Sequence, residues 1–167
     1  MPAWYILISN TAMPAASSTT EKLSTPQVRQ FSVFLQNKVG ALLEIVRLLD
    51  ENNIIVLALS IAESYESAIS RMIVSDPDRT GELFREHNIP HSFCDLMVVE
   101  LADGPGDLSQ LLAALLMAEV NVHFSYPLLV RPRGRAVLAL HVDDIECATS
   151  VLLGEGFKLL TQGDLSR

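Results

Sequence analysis

The stretch LQNKVGALLEIVRLLDENNIIVLALSI, residues 35–61, decides the fold. It closes one apolar run, turns at Gly40, enters an amphipathic segment and passes into a second apolar run. Leu42, Ile45, Val46 and Leu49 keep the i, i+3, i+4, i+7 spacing of a helix with one buried stripe. Upstream, residues 31–35 alternate with period two around the polar Ser32, which is the pattern of a half-buried strand. The unit is therefore strand, glycine turn, helix, strand.

The same unit recurs 66 residues downstream. FSVFLQNKVGALLEIVRLLDENNIIVLALS, starting at Phe31, lies over MVVELADGPGDLSQLLAALLMAEVNVHFSY, starting at Met97. Phe31, Val33 and Leu35 meet Met97, Val99 and Leu101. Leu42, Ile45, Val46 and Leu49 meet Leu108, Leu111, Leu112 and Leu115. The second halves align after a slip of one or two residues, SRMIVSDPDRTGELFREHNI over LALHVDDIECATSVLLGEGF. Each supplies a strand, an acidic turn, a helix and a short apolar close. Asp76 before Pro77 is a helix cap followed by Pro at the first helical position, and Asp143 and Asp144 take the capping role in the second copy. Residues 54–62 and 68–75 read as strands joined by the hairpin-type connection 63–67.

Each copy thus reads strand, helix, strand, strand, helix, strand. The predicted class is α+β, two ferredoxin-like βαββαβ units in tandem, with helices on one face of antiparallel sheets. The expected division is an N-terminal arm over 1–29, a first unit over 30–95 and a second over 96–167, the two joined edge to edge through their second strands. The arm is rich in Ser, Thr, Pro and Ala, and reads either as disordered or as docked through residues 4–8. Met13-Pro14-Ala15 repeats Met1-Pro2-Ala3, so Met13 is an alternative start.

Composition narrows the function. Hydrophobic residues make up 49% and charged residues 19% of the 167, which suits a buried core. The formal net charge of −8 disfavours nucleic acid and anionic membrane, which need clustered Lys and Arg. The one dense basic stretch, residues 131–135, reads as a solvated hairpin tip, with an anion or partner contact as the alternative. Cys94 and Cys147 form neither a CxxC pair nor a metal-finger spacing. His87 and His91 lie four apart, but Pro90 breaks a helix between them, so no metal is expected. No Gly-x-Ser-x-Gly elbow, dinucleotide fingerprint or phosphate loop occurs, so no cofactor and no catalysis are expected. The start lacks the basic region of a signal peptide and no apolar run has the length of a membrane span, so the expected location is cytoplasmic.

The repeated turn and its flanks resemble the ACT domain, a small ligand-binding regulatory module. The shared features are the opening strand, the Asn/Asp-x-(Pro)-Gly-x-Leu turn, the first helix and the hydrophobic-Asn-hydrophobic entry to strand two. The resemblance covers residues 30–162, and the whole is similar to stand-alone tandem ACT proteins of bacteria. Val39 stands where the family often has Pro, while the second copy keeps Pro105-Gly106. Pro127 interrupts the ladder of the second copy's strand two and marks an edge or bulge.

The resemblance implies an amino-acid ligand at the seam between ACT units, near the turns. Physically, the first amides of a helix lack internal partners and attract a carboxylate. A glycine there removes the Cβ that would obstruct approach. The expected sites are Asn37, Lys38, Val39, Gly40, Ala41 and Leu42 in the first copy. In the second they are Asp103, Gly104, Pro105, Gly106, Asp107 and Leu108. Asn37, Asp103, Asp107 and Asn121 are the candidate acceptors for the ligand's ammonium. The bland alternative is that the glycines only make tight turns. The leading reading is a non-catalytic amino-acid sensor that forms a homodimer and regulates a separate metabolic enzyme. The alternatives are a structural interaction module, a regulatory subunit (acetolactate-synthase-like, for example) that binds nothing small, or a small enzyme such as an isomerase.

Overall fold

The structure, a computed structural model, describes residues 26–36, 38–63 and 67–166. The first copy contains β1 (Val28–Gln36), α1 (Ala41–Glu51), β2 (Val56–Glu63), β3 (Ser67–Val74) and α2 (Pro77–Glu86). A long strand, β4 (His91–Leu101), leads into a 3-10 turn (Gly104–Gly106), α3 (Asp107–Met117) and β5 (Val122–Pro127). A second 3-10 turn (Pro132–Gly134), β6 (Ala136–Val142), α4 (Ile145–Gly154), β7 (Lys158–Leu159) and α5 (Gln162–Leu165) complete it. Residues 4–8, read from the sequence as part of a docked or a disordered arm, and most of the connection 63–67 lie outside the described residues.

The strands run in the order β2-β3-β1-β4-β6-β5, all antiparallel, with β7 also on β4. β4 serves both units. Its first half pairs with β1 (Val28 opposite Leu96, Gln30 opposite Cys94). Its second half pairs with β6 (Met97 opposite Leu140) and with β7 (Val99 opposite Leu159). The division expected at 95/96 falls inside this strand. β1 starts at Val28, two positions inside the expected arm, because Val28 is fully buried against the seam between the units.

The strands of this seam carry apolar residues on both faces, and this overturns the edge-to-edge junction expected from the sequence. In β4, Met97 and Val99 face the core under α3 and α4, with Leu111, Leu115, Leu140 and Leu152. Leu96 and Val98 face the opposite way. There they meet Val28, Leu57, Ile73, Tyr126, Val137 and Leu160, drawn from both units. A third core, with Phe31, Val33, Met72, Leu49, Leu83 and Phe84, lies under α1 and α2. A sheet apolar on both sides must be covered on both. The two halves of the seven-stranded sheet, joined by the β1–β4 ladder, therefore share this core on one face, and the helices cover the other. β2 and β5 do not pair. Where their ends approach, the amide of Leu129 donates to Leu57 O at 2.8 Å.

One polar network crosses this seam. Gln30 is fully buried, and Tyr126 Oη donates to its Oε1 at 2.6 Å. Gln30 Nε2 donates to Ser32 Oγ at 3.1 Å and to Cys94 Sγ at 3.4 Å. Burial, first, and then the neighbouring Asp95 push the pKa of the Cys94 thiol upward.

Asp76 caps α2 by accepting from the Arg79 amide at 3.0 Å, with Pro77 at the first helical position. In the second unit the two acids divide their roles. Asp144 caps α4 through the Cys147 amide, whereas Asp143 accepts from the Asn121 amide at 3.0 Å. The bulge of β5 lies between Val122 and Phe124, and Pro127 is its last residue at the sheet edge.

Candidate functional site

Gly40 adopts φ +91°, a left-handed conformation that side chains with a Cβ rarely take. It reverses the chain directly into α1. The Ala41 amide donates to Lys38 O at 3.2 Å, and the Glu44 amide to Gly40 O at 3.0 Å. Between them, the amides of Leu42 and Leu43 find no acceptor among the described residues. No side chain among these residues caps the helix. Beside these amides opens a cavity of about 500 Å³ lined by Leu35, Gln36, Lys38, Leu42, Val46 and Ile61, with Gly40, Ala41, Leu43 and Ala68 completing the wall. It has an apolar body, one ammonium, one side-chain amide and, at its rim, two backbone donors without acceptors among the described residues. That set suits a carboxylate at the helix end and an aliphatic group between α1 and the sheet.

The second turn is built differently. The residue with positive φ is Gly104, at +62°, while Gly106 lies at φ −62°, ψ −34°, ordinary helical values. The chain enters α3 through a 3-10 turn, and the Asp107 amide bonds back to Gly104 O and Pro105 O. Asp107 Oδ2 accepts from the Asp103 amide at 2.9 Å. A carboxylate of the chain itself thus stands at this turn, where it repels a second anion. Unlike Gly40, Gly106 does not need to be glycine for its own backbone conformation. Asp103, Gly104, Pro105, Gly106, Asp107 and Leu108 line none of the four main cavities.

Two further expectations change. Asn121 does not reach the second turn. It follows the opposite end of α3, an 11-residue helix that spans about 16 Å at 1.5 Å per residue. Nor does the first turn lie at the seam within this chain. Gly40 follows the C-terminal end of β1 and Val28, in the seam core, begins it. A nine-residue strand separates them by about 26 Å. Every residue lining the cavity belongs to the first unit. Lys38, Gly40, Ala41 and Leu42 line it, whereas the Val39 side chain is wholly exposed. Asn37 lies outside the described residues.

The sequence reading missed Leu35, Gln36, Leu43, Val46, Ile61 and Ala68, which supply most of the wall. Leu35, on the core side of β1, was legible as strand pattern, and Val46 as helix stripe. That β2 and β3 place Ile61 and Ala68 against them required the register, Ile61 opposite Ser70 and Leu35 opposite Ala68.

The basic stretch lies at the surface as expected, but two of its arginines also pair with an acid of β4. Arg133 takes φ +55° in its 3-10 turn, and its guanidinium lies 3.8 Å from Glu100 Oε2. Arg135 Nη1 donates to Glu100 Oε1 at 2.8 Å. Glu100, the next-to-last residue of β4, is 3% exposed, so the arginines neutralise a buried carboxylate. His87 and His91 sit at the end of α2 and the start of β4, each with Nδ1 on a backbone carbonyl. No group of three metal-ligating side chains occurs among the described residues. No helix among these residues is long and apolar enough to cross a membrane.

Comparison with known proteins agrees with this architecture. No curated protein sequence matches the chain. Among solved structures it is similar to protein BT0572 from Bacteroides thetaiotaomicron, with 28% identity and a TM-score of 0.77 over 84% of this chain and 96% of that one. It shares the fold of the aspartate kinase regulatory subunit from Thermus thermophilus, at 12% identity and TM-score 0.53 over 77% and 89% of the two chains. It also shares that of the corresponding subunit from Thermus flavus, at 11% and 0.52 over 78% and 92%. The family profile described as ACT domain pair matches residues 26–167, and the chain belongs to that family.

Proposed function

We propose that this protein is a non-catalytic amino-acid sensor whose working site is the cavity beside Gly40. The observation that carries the reading is the coincidence of three features at one place. These are a left-handed glycine, two helix-end amides without acceptors among the described residues, and an apolar cavity of about 500 Å³ between helix and sheet. The ligand's carboxylate sits on the amides of Leu42 and Leu43 with Lys38 beside it. Its ammonium meets the Gln36 amide oxygen, and an aliphatic side chain enters between Leu35, Val46 and Ile61. The second turn, closed by Asp107, binds weakly or not at all. This chain regulates a separate enzyme of amino-acid metabolism and associates with a second copy of itself through α3. The aspartate kinase regulatory subunits support the regulatory role only as proteins of the same fold.

The test is a thermal-shift screen with the twenty amino acids. A ligand at 100 times its dissociation constant adds about 2.7 kcal/mol, which raises the melting temperature by roughly 5–10 °C. An aliphatic amino acid should lead. A flat response to all twenty at millimolar concentration removes the sensor reading and leaves the protein-interaction reading.

A further inference from the structure

A second cavity, of about 240 Å³, opens at the seam itself. Its walls come from three separate segments. Ile55, Leu57 and Ser75 belong to the first unit, Val130, Arg131 and Pro132 to the β5–β6 connection, and Leu165 and Ser166 to the C-terminal segment. Hydrogen bonds between the units frame it. The Leu129 amide donates to Leu57 O at 2.8 Å, and Ser166 Oγ donates to Ser75 O at 2.7 Å. Gln162 Nε2 donates to Val74 O at 2.8 Å and seats α5 against the end of β3.

The three arginines of the 131–135 stretch have different tasks. Arg133 and Arg135 both serve the buried Glu100. Arg131 forms no ion pair among the described residues and lines the seam cavity instead. Ser75 Oγ accepts from the Ile55 amide at 2.9 Å, which leaves its hydroxyl hydrogen to donate. Five of the eight lining residues are apolar, and none is an acid. The rim therefore offers a guanidinium and a hydroxyl to an anion, a set that binds a carboxylate. It offers no carboxylate to an ammonium group, whose desolvation would go uncompensated.

We propose that the seam cavity binds a small aliphatic carboxylate that carries no α-ammonium group, a short branched fatty acid or 2-oxo acid. Its carboxylate lies on Arg131 and Ser75, and its body between Leu57, Val130 and Leu165. The volume holds a four- or five-carbon skeleton with a few waters. Because the lining comes from both units and the C-terminal segment, an occupant bridges them and favours the packed arrangement over any in which they separate. This site is independent of the one beside Gly40, and failure of the amino-acid screen leaves it standing.

The test is isothermal titration calorimetry of the full chain with 3-methylbutanoate and 3-methyl-2-oxobutanoate. Valine, the same skeleton with an ammonium group, serves as competitor. Saturable binding of at least one of the two carboxylates is expected, undiminished by excess valine. Arg131→Met should weaken it at least tenfold, and Ile55→Trp should fill the cavity and abolish it. Both positions are solvent-exposed, so both variants fold, which circular dichroism verifies. The proposal is overturned if neither carboxylate binds saturably at millimolar concentration, if Arg131→Met binds as the wild type does, or if valine displaces the carboxylate with equal affinity.

Discussion

Alanine at the two aligned glycines should have opposite effects, although the sequence treats Gly40 and Gly106 as equivalent. At Gly40 an added Cβ meets no atom within 4 Å, so the penalty is not a clash. It is the backbone: φ +91° places a Cβ-bearing residue in the left-handed region, which costs about 1–2 kcal/mol. At Gly106 the nearest atom to an added Cβ is Asp103 Cβ at 3.8 Å, ordinary contact, and the backbone is helical. Alanine there restricts the unfolded chain and adds about 0.4–1 kcal/mol. The two variants should therefore differ by about 1.5–3 kcal/mol. In urea, with a slope of about 1–3 kcal/mol per molar, Gly40→Ala should lower the midpoint by about 0.5–1 M while Gly106→Ala leaves it unchanged or raises it. The slope itself should stay constant, because neither change alters the surface exposed on unfolding. Gly40→Ala should also weaken ligand at the first site, since relaxing φ rotates the Leu42 and Leu43 amides away from a common focus. Equal midpoints for the two variants would refute the assignment of one strained and one relaxed turn.

Three other outcomes are expected. Tyr126→Phe leaves the buried Gln30 Oε1 without a donor and should cost about 1–3 kcal/mol in urea unfolding; a loss smaller than the error of the fit would show that the seam network carries no stability. Burial, then His123, then Arg71 lower the His141 pKa below its ordinary value. Its folded pKa is thus below its unfolded one, so the stability linked to its neutral form is complete above about pH 6.5 and lost as pH falls through the folded value. An NMR titration should place its midpoint below that of a free histidine, and a midpoint above it contradicts the packing of His141 on Phe124 at 4.8 Å. On α3, Leu116 and Met117 are 76% and 85% exposed, where α1 presents Asp50 and Glu51. Leu116→Glu should convert a dimer to a monomer in sedimentation, and an unchanged mass removes α3 as the contact.

The units were legible because local pattern and tertiary role agree along them. The stripe Leu42, Ile45, Leu49 and the alternation at Phe31, Val33, Leu35 each describe one face against one core. The seam was not legible, because its signal is a second apolar face. Val28, Leu57 and Ile73 interleave with the helix-side residues, so the strands carry two patterns at once. The site was half legible for a similar reason. A Gly-x-Leu turn announces a helix end, but both turns announce it equally. The difference resides in φ at residue 40 and in the reach of Asp107 to the Asp103 amide, neither of which follows from spacing. In residues 131–135 a run of like charge looks unpaired until its partner, Glu100, is brought from 33 and 35 positions upstream of Arg133 and Arg135 by the β4–β6 pairing.

The location of the first cavity limits how an occupant can regulate anything. A ligand shifts an equilibrium only by its difference in affinity between two states. The cavity beside Gly40 is lined wholly by the first unit, so its occupant does not sense how that unit sits on the second. What it does sense is whatever approaches its mouth, where Val39 is fully exposed and Leu43 and Ile61 are each about half exposed. Under the proposed function, regulation from that site would work through a surface: the occupant would complete or disrupt an apolar patch presented to another molecule. The seam cavity has the opposite character. Its walls come from both units and from the C-terminal segment, so its occupant distinguishes packed from separated units but leaves the patch around Gly40 unchanged. Two ligands would then act on two different equilibria, and the shortest link between them runs along β2, which carries Leu57 in the seam cavity and Ile61 in the first. Each cavity otherwise keeps its own lining, so weak coupling is expected. Strong cooperativity between an amino acid and a carboxylate would show that β2, an edge strand held on one side only, moves as they bind.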